Sequence, residues 1–253
     1  MLIKGFNLEQ DLRPTPQTRG EVSHAPDYYK KLLMAVSSDV GYMFRYAAKP
    51  KHDFIDDVSP VKQDKEKQLG TNSIFLDWHV EDAFHPIRPD YVGLFCIRGD
   101  RNAQTLIFDA KTYVNHTEGS PDIAKYKYKF IADGTFQSGE KYSTEMPVLE
   151  NSIDPQITFD PSFMITYAEE AESALRRFGE FVDKNHHVIT LEPGDLLIFD
   201  NRRVAHSRTA YHPKFDGSNR WLIRSLIIES TWKFKDFAST HPFVIGEKKT
   251  WQV

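Results

Sequence analysis

Residues 193–224 read PGDLLIFDNRRVAHSRTAYHPKFDGSNRWLIR, and this stretch decides the fold. Pro193-Gly194-Asp195 is a turn signal that feeds the apolar run Leu196 to Phe199, which predicts a strand. A polar corner follows, containing Asp200, Arg202 and Arg203, and leads to His206. The segment Arg220 to Ile228 then predicts a further strand with two arginines on it.

Working outward, strand-like segments cluster at Ser73 to Trp78, Tyr91 to Arg98, Gln104 to Phe108, Pro155 to Phe159 and Val188 to Leu191. One helix interrupts them, Ala168 to Lys184, with Ala171, Leu175, Phe178 and Val182 recurring on one face. An earlier helix is predicted over Asp27 to Gly41, with Leu32, Leu33 and Val36 as its apolar positions and a glycine stop. Residues 45 to 70 are polar and without clear period, which predicts a long surface excursion. No repeat and no Pro/Gly/Ser linker divides the chain, so 1–253 is read as one domain. The expected class is mainly β with covering helices (α+β), arranged as a sandwich or jelly roll.

Composition removes several functions. Lys plus Arg number 32 against 36 Asp plus Glu, and this balance argues against a nucleic-acid partner, whose phosphates are met mainly by basic side chains. A single cysteine, Cys96, rules out an intrachain disulfide framework and any multi-cysteine metal site. No apolar run reaches membrane-spanning length, and MLIKGFNLEQD lacks the features of a secretory signal. A cytoplasmic protein without a membrane partner is expected, with a homo-oligomer left open.

The chemistry is carried by three pieces. In DWHVEDAFHP, residues 77–86, His79 and Glu81 are separated by one residue, so at a strand end both point to the same face. His206 supplies a second imidazole. Two imidazoles and one carboxylate form the facial triad that holds non-haem Fe(II) and leaves positions open for an oxidant and a co-substrate. Arg220 and Arg224 lie an even distance apart on a predicted strand and share a face. Two inward cations are costly unless they meet anions, and a guanidinium binds carboxylates in a bidentate fork.

On these residues the chain resembles a known family. HVEDAFHPIRPDYVGLFCIRGD at 79–100, followed by the 193–224 stretch, is similar to the clavaminate synthase-like branch of the Fe(II)/2-oxoglutarate dioxygenases, within the TauD/TfdA superfamily. That branch includes hydroxylases of free arginine, lysine and asparagine. The resemblance implies a double-stranded β-helix, a distorted jelly roll with iron at one mouth, and Fe(II), 2-oxoglutarate and O2 as cofactor and co-substrates. By position, His79, Glu81 and His206 match the iron ligands, Arg220 and Thr105 the grip on the far carboxylate of 2-oxoglutarate, and Arg224 the arginine that receives an amino-acid carboxylate. Leu69 and Thr71 match a loop over the substrate backbone, Asp160 a lid carboxylate facing a basic side chain, and Glu81 is counted with the substrate contacts as well as the metal.

The implied activity is hydroxylation of a free L-amino acid, with a basic side chain favoured. Desaturation or cyclisation of an amino-acid-derived metabolite, or a non-catalytic jelly-roll binding protein, are the alternatives. Glu81 occupies the carboxylate position, which disfavours a halogenase. His85 is read as a structural hydrogen-bonding residue, and Trp78 and Trp221 as packing.

Overall fold

Side-chain alternation along the strands sorts the apolar residues into three buried clusters, and these set the layering of the molecule. The computed structural model describes residues 1–8, 12–18, 20, 22–49, 53–119, 121–137, 143–150, 153–237 and 241–246. Its main elements are β1 (Leu2–Ile3), α1 (Asp27–Val40), β2 (Tyr42–Met43), β3 (Asp56–Val58), β4 (Leu76–His79), β5 (Tyr91–Arg98), β6 (Thr105–Asp109), α2 (Ala110–His116), α3 (Glu169–Lys184), β7 (His187–Ile189), β8 (Leu196–Asp200), β9 (Val204–Arg208) and β10 (Trp221–Ile228). The larger sheet has the order β1-β8-β5-β10-β2, with β3 also paired to β10. The smaller has the order β7-β6-β9-β4, and both are antiparallel throughout.

Val92, Leu94 and Cys96 of β5 and Leu197 and Phe199 of β8 form a cluster with Leu222 and Leu226 of β10. Ile107, Ile189 and Val204 of the smaller sheet pack against it, so this core lies between the sheets. The alternate residues Phe95, Ile97, Ile198 and Ile223 pack with Tyr29 and Leu33 of α1. Gly93 lets that helix approach, because a Cβ there would lie 2.5 Å from Ser225 Oγ and 3.2 Å from Leu33 Cδ1. On the far side, Leu106, Phe108 and Ala205 cluster with Ala171, Ala174, Phe178 and Val182 of α3. The order is helix, sheet, sheet, helix, and strands covered on both faces read as continuous apolar runs for that reason.

Several expectations change. The polar corner leads into a strand that the sequence does not announce, β9 (VAHSR), whose inward His206 and Arg208 hide the alternation that an apolar face would show. Pro155 to Phe159 contributes only the two-residue strand Gln156–Ile157, paired with Leu149–Glu150 outside the main sheets. The 45–70 segment is not a surface loop: Tyr46, Lys49, Ile55, Val61 and Asp64 are buried in it, and β3 joins the larger sheet. Residues 50–52 of that segment lie outside the described residues. Arg220 stands one residue ahead of β10 rather than within it. Among the described residues, no helix is long and apolar enough to cross a membrane.

Candidate metal centre and its cavity

β4 and β9 are neighbours, and the ladder places His206 directly opposite His79. Their ring centroids are 4.1 Å apart. Glu81 follows two residues after His79, beyond the end of β4, and one ligand atom from each of the three side chains lies within 4.8 Å of the others. Side chains more than a hundred positions apart in the chain thus meet at one point.

The donor set suits a metal ion. His79 Nδ1 lies 2.8 Å from the carbonyl oxygen of Asp77, and because a carbonyl only accepts, that nitrogen is the donor and Nε2 is the one left for a metal ion. Burial, with His79 and Arg224 nearby, holds His206 well below the usual imidazole range, so it is neutral. Its Nδ1 is buried without a hydrogen-bond partner among the described residues. Burial pushes the Glu81 carboxyl up, but Arg224, Lys49 and His79 outweigh it and keep Glu81 below its ordinary value as an anion. One carboxylate and two imidazoles are the ligand set of non-haem Fe(II) sites with open positions.

The two arginines line the same cavity as the triad, at opposite degrees of saturation. Arg224 donates from Nη1 to Glu81 Oε1 at 2.7 Å and from Nη2 to Asp56 Oδ2 at 3.0 Å. Arg220 is buried, and its guanidinium makes no hydrogen bond or ion pair with any described residue. Thr105, on the inward face of β6 with Ile107, lines the cavity too. Arg208, on β9, is committed elsewhere: its guanidinium holds the carbonyl oxygens of Asn72 at 3.1 Å and Ile74 at 2.8 Å.

Leu69, Thr71 and Asp160 line the cavity as well, so all nine residues predicted as ligands or contacts of metal, co-substrate or substrate border one space. The Thr71 hydroxyl donates to Asp64 Oδ2 at 2.8 Å, which ties its loop internally. Asp160 is pushed well above the usual carboxylate range by burial and by Asp77, Asp133 and Glu81. Asp133, Asp56 and Lys49 were not foreseen, and all three line the cavity. Asp133 sits in an Ala-Asp-Gly-Thr turn and Asp56 in an aperiodic stretch, so neither carries a local signal of its role. Lys49 is ion-paired with Asp82 and stands 4.5 Å over the Phe136 ring.

His85 is placed against Tyr46, Phe136 and Phe237, and burial brings it down to about 4. Its Nδ1 accepts from the Ile87 backbone N–H at 3.0 Å. Trp78 donates to Asp183 of α3 at 2.7 Å and Trp221 to Asp57 at 2.9 Å, both as packing anchors.

Residues 26–226 match the family described as taurine catabolism dioxygenase TauD, TfdA family. The chain belongs to this dioxygenase family. An L-lysine 3-hydroxylase of Catenulispora acidiphila is 32% identical over 243 residues, covering 90% of this chain and 66% of the relative. The chain thus spans about two thirds of that enzyme's length. A solved asparagine oxygenase in complex with Fe(II), (2S,3S)-3-hydroxyasparagine and succinate superposes with a TM-score of 0.88 at 26% identity, covering 97% of this chain and 79% of that one. The non-haem iron oxygenase OrfP, solved with Fe and α-ketoglutaric acid, superposes with a TM-score of 0.82 at 26% identity, covering 97% of this chain and 80% of that one.

Proposed function

We propose that this family member is an Fe(II)- and 2-oxoglutarate-dependent hydroxylase of a free L-amino acid with a basic side chain. The observation that carries the reading is the meeting, in one cavity, of a His-Glu-His cluster with a buried arginine that forms no ion pair or hydrogen bond with a described residue. The two facing sheets are read as the double-stranded β-helix of this family. His79, Glu81 and His206 would hold the iron. Fe(II) with 2-oxoglutarate and O2 supplies the oxidising power for inserting one oxygen atom into an unactivated C–H bond, with succinate and CO2 released.

The protein's own part is binding and placement. Arg220, helped by the Thr105 hydroxyl, offers the far carboxylate of 2-oxoglutarate a charge-assisted bidentate partner and so relieves its own desolvation. Arg224 takes the substrate carboxylate, sharing it with or exchanging it for Asp56, while its contact to Glu81 keeps the substrate next to the metal. Leu69 and Thr71 border the substrate backbone. Asp160, with Asp133 and Asp77 around it, favours a cation, because an arriving ammonium or guanidinium offsets the mutual repulsion of these acids. Basic relatives such as the lysine hydroxylase support that choice.

The test is an O2-dependent succinate assay across the twenty amino acids, with product masses recorded. Succinate coupled to a product one oxygen heavier than lysine or arginine is the expected result. Loss of two hydrogens would make it a desaturase, and no stimulation by any free amino acid would move the substrate to a larger or tethered one.

A further inference from the structure

The geometry points to Asn201 as the residue that positions the carboxylate ligand Glu81, by holding its backbone from the turn that leads into the strand carrying His206. This inference rests on the proposed metal site.

Glu81 lies past the end of β4, so no strand ladder supports its peptide groups. Asp82, the next residue, has φ of +54°, a left-handed conformation that turns the chain away at once. The buried Asn201 side chain answers both exposed backbone groups of Glu81: Oδ1 accepts from the Glu81 N–H at 2.7 Å, and Nδ2 donates to the Glu81 carbonyl at 3.1 Å. The same Nδ2 donates to the Pro89 carbonyl at 3.0 Å, and the Asn201 N–H donates to the Asp90 carbonyl at 2.8 Å.

Asn201 occupies the turn between β8 and β9, five positions before His206. The two histidines are fixed to each other by the β4–β9 ladder, whereas the backbone of Glu81 is held by the Asn201 amide and its carboxylate by Arg224. The amide is suited to the task because a single planar group presents an acceptor and two donors. Asn201 touches no side-chain oxygen of Glu81, so its action is on placement and not on the charge of the ligand. Side chains that orient a ligand from behind typically carry about 10- to 100-fold in metal affinity.

The experiment is an anaerobic titration of the metal-free full-length protein with Co(II), read by the visible absorption of the bound ion and repeated with Fe(II) by competition. The wild type is compared with Asn201→Ala, Asn201→Asp and a control, Asn219→Ala. Asn219 is also buried and its Oδ1 holds the backbone N–H groups of Lys214 and Phe215, but it does not touch Glu81. Asn201→Ala is expected to weaken Co(II) binding by about tenfold or more and to change the absorption spectrum, which reports the coordination itself. Asn201→Asp, which keeps an acceptor for the Glu81 N–H, should fall between it and the wild type, and it carries the test alone if the alanine variant does not fold. Asn219→Ala should bind Co(II) as the wild type does.

Wild-type affinity and spectrum in the Asn201 variants would overturn the inference. Equal losses in Asn201→Ala and Asn219→Ala would also overturn it, by showing general loosening. A wild type that binds neither ion would instead overturn the metal-site reading itself.

Discussion

The two ends of the cavity differ in how their charges are balanced. Around Glu81 the protein supplies its own counter-charges: Arg224 bridges Glu81 and Asp56, and Lys49 pairs with Asp82 one residue further on. At Arg220 no described residue forms an ion pair or hydrogen bond with the buried guanidinium, and the charge of Asp100 acts on it only from beyond ion-pair distance. At Asp160 the imbalance is reversed, with acids crowding one another. On the proposed reading the balanced end keeps its order without a ligand, while Arg220 and the acids around Asp160 are where ligands of opposite charge would bind, since a buried charge is costly unless it is paired.

Arginine-to-leucine substitutions break the comparison most directly. Arg224→Leu leaves Glu81 and Asp56 without their shared cation and should cost about 3–5 kcal/mol of folding stability, measured by urea unfolding of the metal-free protein. Arg220→Leu removes a cation with no described partner, so stability should hold or rise, while the KM for 2-oxoglutarate rises by on the order of 100-fold. Equal destabilisation by the two substitutions would show that Arg220 has a structural partner after all.

His85 sharpens the picture of the balanced end, since it packs behind it as a neutral imidazole. Its folded value, lowered to about 4 chiefly by burial, lies below the ordinary 6.5, so the unfolded chain binds the proton more readily. The stability it contributes is therefore present above pH 6.5 and is lost as pH falls from there towards 4, by at most about 3 kcal/mol. His85→Phe should flatten that part of the stability–pH curve in thermal melts between pH 4 and 7; an unchanged slope would show that His85 is not the group responsible.

The smallest effect is expected at the acid cluster. Asp160→Asn should lower kcat/KM for a basic amino acid by about tenfold, the scale of one partly screened charge contact, and leave the KM for 2-oxoglutarate unchanged. Equal losses in both would remove Asp160 from side-chain recognition.

Most of the supporting sheet was legible because its signal is local. Tyr91–Arg98 is a strand over the predicted bounds, and α3 begins one residue from its predicted start. The strand β9 escaped notice because His206 and Arg208 replace apolar residues on its inward face, a cost accepted where a site is built. His206 was legible through the family resemblance, whereas His79 with Glu81 and the even spacing of Arg220 and Arg224 could be read for the same reason that Asp133, Asp56 and Asn201 could not. The former sit on or beside strands whose period of two assigns a face, and the latter sit on turns or short pieces where spacing carries no direction.

The sequence by itself determined the class of fold, the pairing of His79 with Glu81 on one face, and the presence of inward cations beside them. Those properties follow from side-chain alternation and residue chemistry, which need no knowledge of distant contacts. It took the tertiary structure to show that Arg224 is ion-paired to two acids and Arg220 to no described residue, that Asp160 and Asp133 converge, and that one amide on the β8–β9 turn holds the backbone of Glu81. Each of these depends on which segments far apart in the chain are brought together, and that is settled by the packing of the two sheets and not by any local pattern.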